Sequence, residues 1–261
     1  MRPSAVAGAF YPADADELRA VLAQCFTAAV APPSDPTVPK ALVVPHAGLP
    51  YSGPVAASAY LRIRPGRSTI RQVVLLGPSH RVPFRGLASS GADTWATPLG
   101  LVPLDTEASR ELGDFPWVSV ADATHAPEHS LEVQLPFLQT VLEDFELLPL
   151  LTGHATTDEV ASVLDVLWSG PETVIVVSTD LSHYHDYAAA VNLDCRTAAA
   201  ITALRTDDID DADACGAHSL RGLLQAGRSR NLEVEQLDLR NSGDTAGDRH
   251  RVVGYGAFAL A

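Results

Sequence analysis

Three hydrophobic runs in this chain each end in a histidine: Ala41-Leu-Val-Val-Pro-His46, Val73-Val-Leu-Leu-Gly-Pro-Ser-His80 and Val174-Ile-Val-Val-Ser-Thr-Asp180-Leu-Ser-His183. Short aliphatic runs, mostly β-branched and bounded by Pro, Gly and Ser, read as strands buried on both faces of a parallel sheet. In open α/β sheets the functional crevice lies beyond the carboxyl ends of the strands, so polar side chains just past such strands converge there. Three imidazoles and the Asp180 carboxylate in one crevice point to a metal.

The rest of the chain reads as alternating helices and strands without a composition break, which predicts one α/β domain over residues 1–261. Helices are expected over residues 14–26, 54–61, 128–143, 156–168, 187–204 and 215–225, and further strands over 145–151, 232–239 and 251–260. Residues 47–53 are expected to be irregular, residues 31–39 a Pro-rich loop, and residues 86–105 a hairpin around Trp95. The last two strands are joined by a short connection and form an antiparallel pair, so the sheet is mixed. Cys25 and Cys195 fall within helical patterns and are expected in the core.

The formal charge of −14 argues against nucleic acid or an anionic membrane as a general partner, because both require a basic surface. No apolar stretch approaches the roughly 20 residues that span a bilayer. The start lacks a continuous apolar signal core, which makes the cytoplasm the expected location. Cys25, Cys195 and Cys215 are widely spaced, with no CxxC pair, and do not form a disulfide framework.

His46 and His80 share a local context of proline and glycine. Asp180 and His183 lie three residues apart, close enough in a tight turn for ligand and orienter or for a carboxylate-polarised acid/base; Asp180 alone also suits a turn cap. At the expected start of helix 128–143 the helix dipole favours Glu128 and Glu132 but disfavours a cation, so His129 is expected to be neutral and to point into the crevice. Cys215 at a helix start would have a lowered thiol pKa, as a nucleophile or a soft metal ligand. His125, His154, His185, His218 and His250 lack comparable context.

Five ordered motifs resemble the Memo family: Pro45-His46-Ala-Gly-Leu-Pro-Tyr-Ser-Gly53, Leu76-Gly-Pro-Ser-His80, Glu128-His-Ser-Leu-Glu-Val-Gln-Leu-Pro-Phe137, Ser178-Thr-Asp-Leu-Ser-His-Tyr184 and Asn241-Ser-Gly-Asp244. The opening Ala-Gly-Ala-Phe-Tyr-Pro12 is also similar to the family's start. The resemblance implies the fold of class III extradiol (LigB-like) dioxygenases, with a mixed, mostly parallel sheet flanked by helices. In prokaryotes it implies membership of the AmmeMemoRadiSam group. It carries metal-ligand roles to His46, His80 and Cys215, and places Asp180 and His183 in the same pocket. Leu49 stands where an aromatic is common, Arg81 where a second histidine often follows the first, and Cys215-Gly-Ala-His-Ser where Cys-Gly-Arg is usual.

The expectation is therefore a mononuclear non-haem metalloprotein of dioxygenase type. Fe(II) is the first choice of cofactor, with Cu or Zn as alternatives. Two histidines with Asp180 would make a facial triad, whereas two with Cys215 would make a softer site. His183, His129 and Asp180 are the expected proton-handling groups, and the expected partners are dioxygen and a small chelating molecule such as a catechol. A metal- or peptide-binding protein without turnover is the second expectation, and Zn-dependent hydrolysis the third.

Overall fold

The aliphatic runs form the centre of a sheet whose core layers both follow from side-chain alternation. A computed structural model describes residues 1–34 and 37–261, so part of the loop expected over residues 31–39 lies outside the described residues. Its strands are β1 (Ala41–Val44), β2 (Gln72–Pro78), β3 (Leu87–Ser89), β4 (Thr94–Thr97), β5 (Gly100–Pro103), β6 (Val118–Val120), β7 (Glu146–Thr152), β8 (Thr173–Ser178), β9 (His183–His185), β10 (Val234–Asn241) and β11 (Val252–Leu260). The helices are α1 (Ala15–Ala28), α2 (Leu49–Ile63), α3 (Thr106–Glu111), α4 (Asp122–His125), α5 (Leu135–Val141), α6 (Thr157–Leu167), α7 (Tyr187–Thr202) and α8 (Ala217–Ser229).

The main sheet runs β10-β11-β1-β8-β2-β7-β3-β6, with β9 added to β11, and β4-β5 form a separate hairpin. The β1-β8-β2-β7 centre is parallel, while β11 joins β1 and β10 antiparallel and β3 joins β7 antiparallel. The fold is thus a mixed sheet, parallel through its centre and flanked by helices. Leu42, Val44, Val73, Leu75 and Val176 point to the layer containing α1, α2 and α5, and Val43, Val74, Leu76, Ile175 and Val177 to the layer containing α6 and α8. Successive residues on a strand face opposite ways, so buried central strands must be apolar throughout. Among the described residues no helix is long and apolar enough to cross a membrane.

Caps fix several helix starts. The Asp14 side chain accepts from the backbone N–H groups of Asp16 and Glu17, and Thr156 and Glu159 form a reciprocal capping box. Helix α2 begins at Leu49, earlier than expected, so residues 49–53 are helical rather than irregular. Pro50 fits because a first-turn N–H has no intrahelical partner to lose.

The helix expected over 128–143 is mostly absent. Residues up to Leu131 are irregular, Glu132–Gln134 form a 3-10 turn, and only Leu135–Val141 is α-helical. Cys195 is another correction. It is exposed on α7, whose buried face carries Ala190, Asp194, Thr197, Ala198 and Ile201, whereas Cys25 is buried as expected. The hairpin expectation holds for β4 and β5, but β3 in the same segment joins the main sheet.

Candidate metal centre

The parallel centre of the sheet delivers three adjacent strand ends to one edge. His46 follows β1, His80 follows β2, and Asp180 follows β8, which lies between them. Beyond these ends is a cleft of about 1050 Å³, lined among others by Phe10, His46, Tyr51, His80, Arg81, His129, Asp180, His183, Tyr184, Cys215, Arg251 and Tyr255. The six residues singled out from the sequence all line it. A cleft of about 790 Å³ beside the β4-β5 hairpin is lined by Leu99, Leu101, Phe145 and mixed charges, and none of the histidines reaches it.

Hydrogen bonds determine which nitrogen each histidine presents. His46 Nδ1 lies 2.9 Å from Ser178 Oγ, which donates its one proton to the Ser130 carbonyl at 2.7 Å and accepts from Gln134 Nε2 at 2.8 Å. The Ser178 hydroxyl has only an acceptor site left, so His46 Nδ1 carries the hydrogen and Nε2 carries a bare lone pair. His80 Nδ1 lies 3.0 Å from Glu128 Oε1, and a carboxylate only accepts. His80 therefore turns its Nε2 away from Glu128. This is the orientation that outer partners impose on metal-binding imidazoles.

Glu128 is held to that task. Its Oε2 accepts from the His80 backbone N–H at 2.5 Å, and its Oε1 accepts from the backbone N–H groups of His129 and Ser130 at 2.8 and 3.0 Å. Burial opposes its charge, but bonding from His129, His80 and the Ser130 N–H prevails and holds the carboxyl well below the usual range. By binding the N–H groups just after it, Glu128 replaces the helix expected there with a turn. Its place near a helix start offered a dipole explanation, and only the tertiary fold discloses its bond to His80.

His129 lies in that turn. Its ring is 4.7 Å from His80, 5.5 Å from His46 and 4.6 Å from Phe10. Its Nδ1 is 3.0 Å from Glu128 Oε1. The expected position in the crevice is met, but the helix-dipole reason for it is not.

Cys215 enters just ahead of α8. Its N–H donates to the Asp180 carbonyl at 3.2 Å, and the Gly216 N–H donates to Thr179 Oγ1 at 2.8 Å. A Cβ at Gly216 would stand 2.7 Å from the Thr179 side chain and 2.9 Å from the Ser178 carbonyl, so this close approach requires glycine. Cys215 Sγ comes within 3.4 Å of His46 Nε2 and accepts from the Asp180 N–H at 3.3 Å. Ligand-capable atoms of His46, His80 and Cys215 lie within 4.8 Å of one another. The expected low thiol pKa is not found: burial and then the Asp180 charge push it up to about 12. The Cys-Gly pair was the available sequence signal for this contact.

Asp180 is turned toward the backbone. Its Oδ1 accepts from the His46 N–H at 2.7 Å, and its Oδ2 is 4.0 Å from His46 Nε2. Burial raises its pKa. No Asp180–His183 hydrogen bond forms. Instead His183 lies on β9, paired with β11, at the other side of the cleft mouth. Burial, followed by the neighbouring His80 and His129, holds the His46 imidazole well below its ordinary pKa, so it is neutral at physiological pH.

The similarity to known proteins extends over the whole arrangement. A family profile described as "Memo-like protein" matches residues 2–259. A MEMO1 family protein of Methanopyrus kandleri is 36% identical over 282 residues, covering 99% of this chain and 98% of the relative. One from Aeropyrum pernix is 37% identical over 282 residues, covering 100% and 99%, and one from Methanosarcina barkeri 36% over 274 residues, covering 100% of both. With strand-end histidines, supporting glutamate and Gly-backed cysteine in one cleft, and likeness over its full length, the chain belongs to the Memo family.

Proposed function

We propose that this Memo-family protein is a mononuclear metal-binding oxidoreductase of non-haem iron, dioxygenase-like type, acting on a small metal-chelating molecule. The observation that carries the reading is the convergence of one ring nitrogen each of His46 and His80 with the Cys215 thiol, all within 4.8 Å of one another. The donor chemistry fits: each imidazole has its Nδ1 tied to a protein oxygen, and the thiol yields its proton when a cation replaces it. His46, His80 and Cys215 would hold the ion. Bound there, it would supply Lewis acidity and redox capacity, with coordination positions left for a chelating substrate and dioxygen.

The other residues orient and move protons. Glu128 and Ser178 hold the tautomers of His80 and His46. His183 and His129 border the open part of the cleft, where either can take a substrate proton and return one. Asp180 fixes the His46 backbone beside the site, and burial raises its carboxyl pKa. Phe10, Tyr51 and Tyr255 provide aromatic wall for a planar ring.

The size of the cleft, about 1050 Å³, favours a second reading, because sites for drug-sized ligands run roughly 300–1,000 Å³: the same centre would hold metal while the cleft accepts a partner segment without turnover. Oxygen uptake separates the two. Protein supplied with Fe(II) anaerobically, then exposed to oxygen and a catechol panel, should consume oxygen above a His46→Ala control. Metal binding with no such difference would leave the non-catalytic reading standing.

A further inference from the structure

The cleft wall carries a cation poorly explained by structure. Arg81 follows His80, in a turn fixed by the Ser79 Oγ to Val82 carbonyl bond at 2.7 Å and by the His80 N–H to Glu128 bond at 2.5 Å. Its backbone is therefore as firmly placed as that of the neighbouring histidine. The side chain is exposed and lines the cleft, and it forms no hydrogen bond or ion pair with a described residue. Arg251, which precedes β11 on the side of the cleft where β9 lies, also lines it, its guanidinium 4.5 Å from the Tyr184 ring centroid.

The acids lining the cleft are otherwise engaged. Asp211 lies 3.6 Å from both His218 and Arg221, Asp248 accepts from the His250 N–H at 2.8 Å, and Asp180 accepts from the His46 N–H at 2.7 Å. Two guanidinium groups thus face the cleft of a chain whose formal charge is −14. A guanidinium presents a planar fork of donors that matches a carboxylate and is weakly hydrated enough to exchange water for one.

We infer that the cleft selects a molecule bearing a carboxylate, held by Arg81, while the other end of the molecule chelates at the metal centre. This rests on the metal-chelation reading and names the substrate class for it: a planar chelator with an anionic substituent.

The test compares two ligands that differ in that substituent. Full-length protein loaded with Zn(II), as a redox-silent ion, is titrated calorimetrically with 3,4-dihydroxybenzoate and with the neutral 4-methylcatechol. The wild type should bind the benzoate about tenfold more tightly, the scale of one charge-assisted bidentate contact. Arg81→Gln should bring the ratio near one, Arg81→Lys should retain part of it, and Arg251→Gln should reduce it less than Arg81→Gln does. A wild-type ratio near one, or the full ratio persisting in Arg81→Gln, overturns the carboxylate inference while leaving chelation intact. Failure of both ligands to bind the wild type, or unchanged binding of both in His46→Ala, overturns the chelation reading and the inference with it.

Discussion

Glu128 and Glu132 are both sealed from solvent, at 2% and 0% exposure, yet they serve different ends of the molecule. Glu128 lies behind cleft-lining His80 and His129, with its oxygens bonded to His80 and to the turn that carries His129. Glu132 faces away. It pairs with Arg2 at 2.6 Å, accepts from Tyr11 at 2.6 Å and accepts from the backbone N–H groups of Ala5 and Val6. One carboxylate orients the His80 imidazole, and the other ties the N-terminal segment, with cleft-lining Phe10, to the core. A buried carboxylate is tolerated wherever its lone pairs are filled, and its donors decide whether it serves chemistry or cohesion.

Removing Glu132 should have the largest effect on stability. Glu132→Ala leaves the Arg2 guanidinium buried and unpaired, and should cost about 3–5 kcal/mol in chemical denaturation. A cost equal to that of Glu128→Gln would break the contrast. Arg2 also donates to the carbonyls of His125 and Glu128, so Arg2→Ala and Glu132→Ala should be far from additive.

His125, whose carbonyl accepts from Arg2, gives the contrast a pH dependence. Burial, with the nearby Arg2 charge adding to it, brings its pKa from 6.5 to about 4. Between those values the unfolded chain binds a proton that the folded chain refuses, so stability falls with decreasing pH. The window is about pH 6.5 to 4, and the loss through this group is at most about 3 kcal/mol. Denaturant midpoints for His125→Gln should therefore fall less steeply over that window than those of the wild type. An identical slope would remove His125 from the account.

Glu128→Gln should act on the metal instead. Losing the carboxylate partner of His80 should weaken Zn(II) affinity about 10–100-fold in competition with a chromophoric chelator, with a smaller stability loss than Glu132→Ala. A shift of less than about twofold would mean that the outer bond does not orient the ligand.

What could be read from the chain follows the same division. Buried strands announce themselves through continuous apolar runs, so β1, β2 and β8 and the histidines after them were legible. The Thr156–Glu159 capping box was legible too, because it is local. Glu128 and Glu132 looked like acids in a first helical turn, because the His80 N–H and the Arg2 guanidinium that capture them lie far away in sequence. Cys195 was placed in the core by the Ala-rich pattern, but it follows buried Asp194 on a helix where one residue is a 100° rotation. Cys215 drew attention as a helix-start thiol with a low pKa, whereas it is packed against the end of β8 with its pKa raised.

If two strand-end histidines and a cysteine from the start of α8 form one metal centre, the ion needs all three to be retained. Elemental analysis of anaerobically purified wild type and Cys215→Ser, with His46→Ala alongside, tests it most directly. The wild-type chain should carry about one transition-metal ion, as expected for a closely spaced donor set, and both variants should lose it under identical purification. Full metal content in Cys215→Ser would contradict the centre as described.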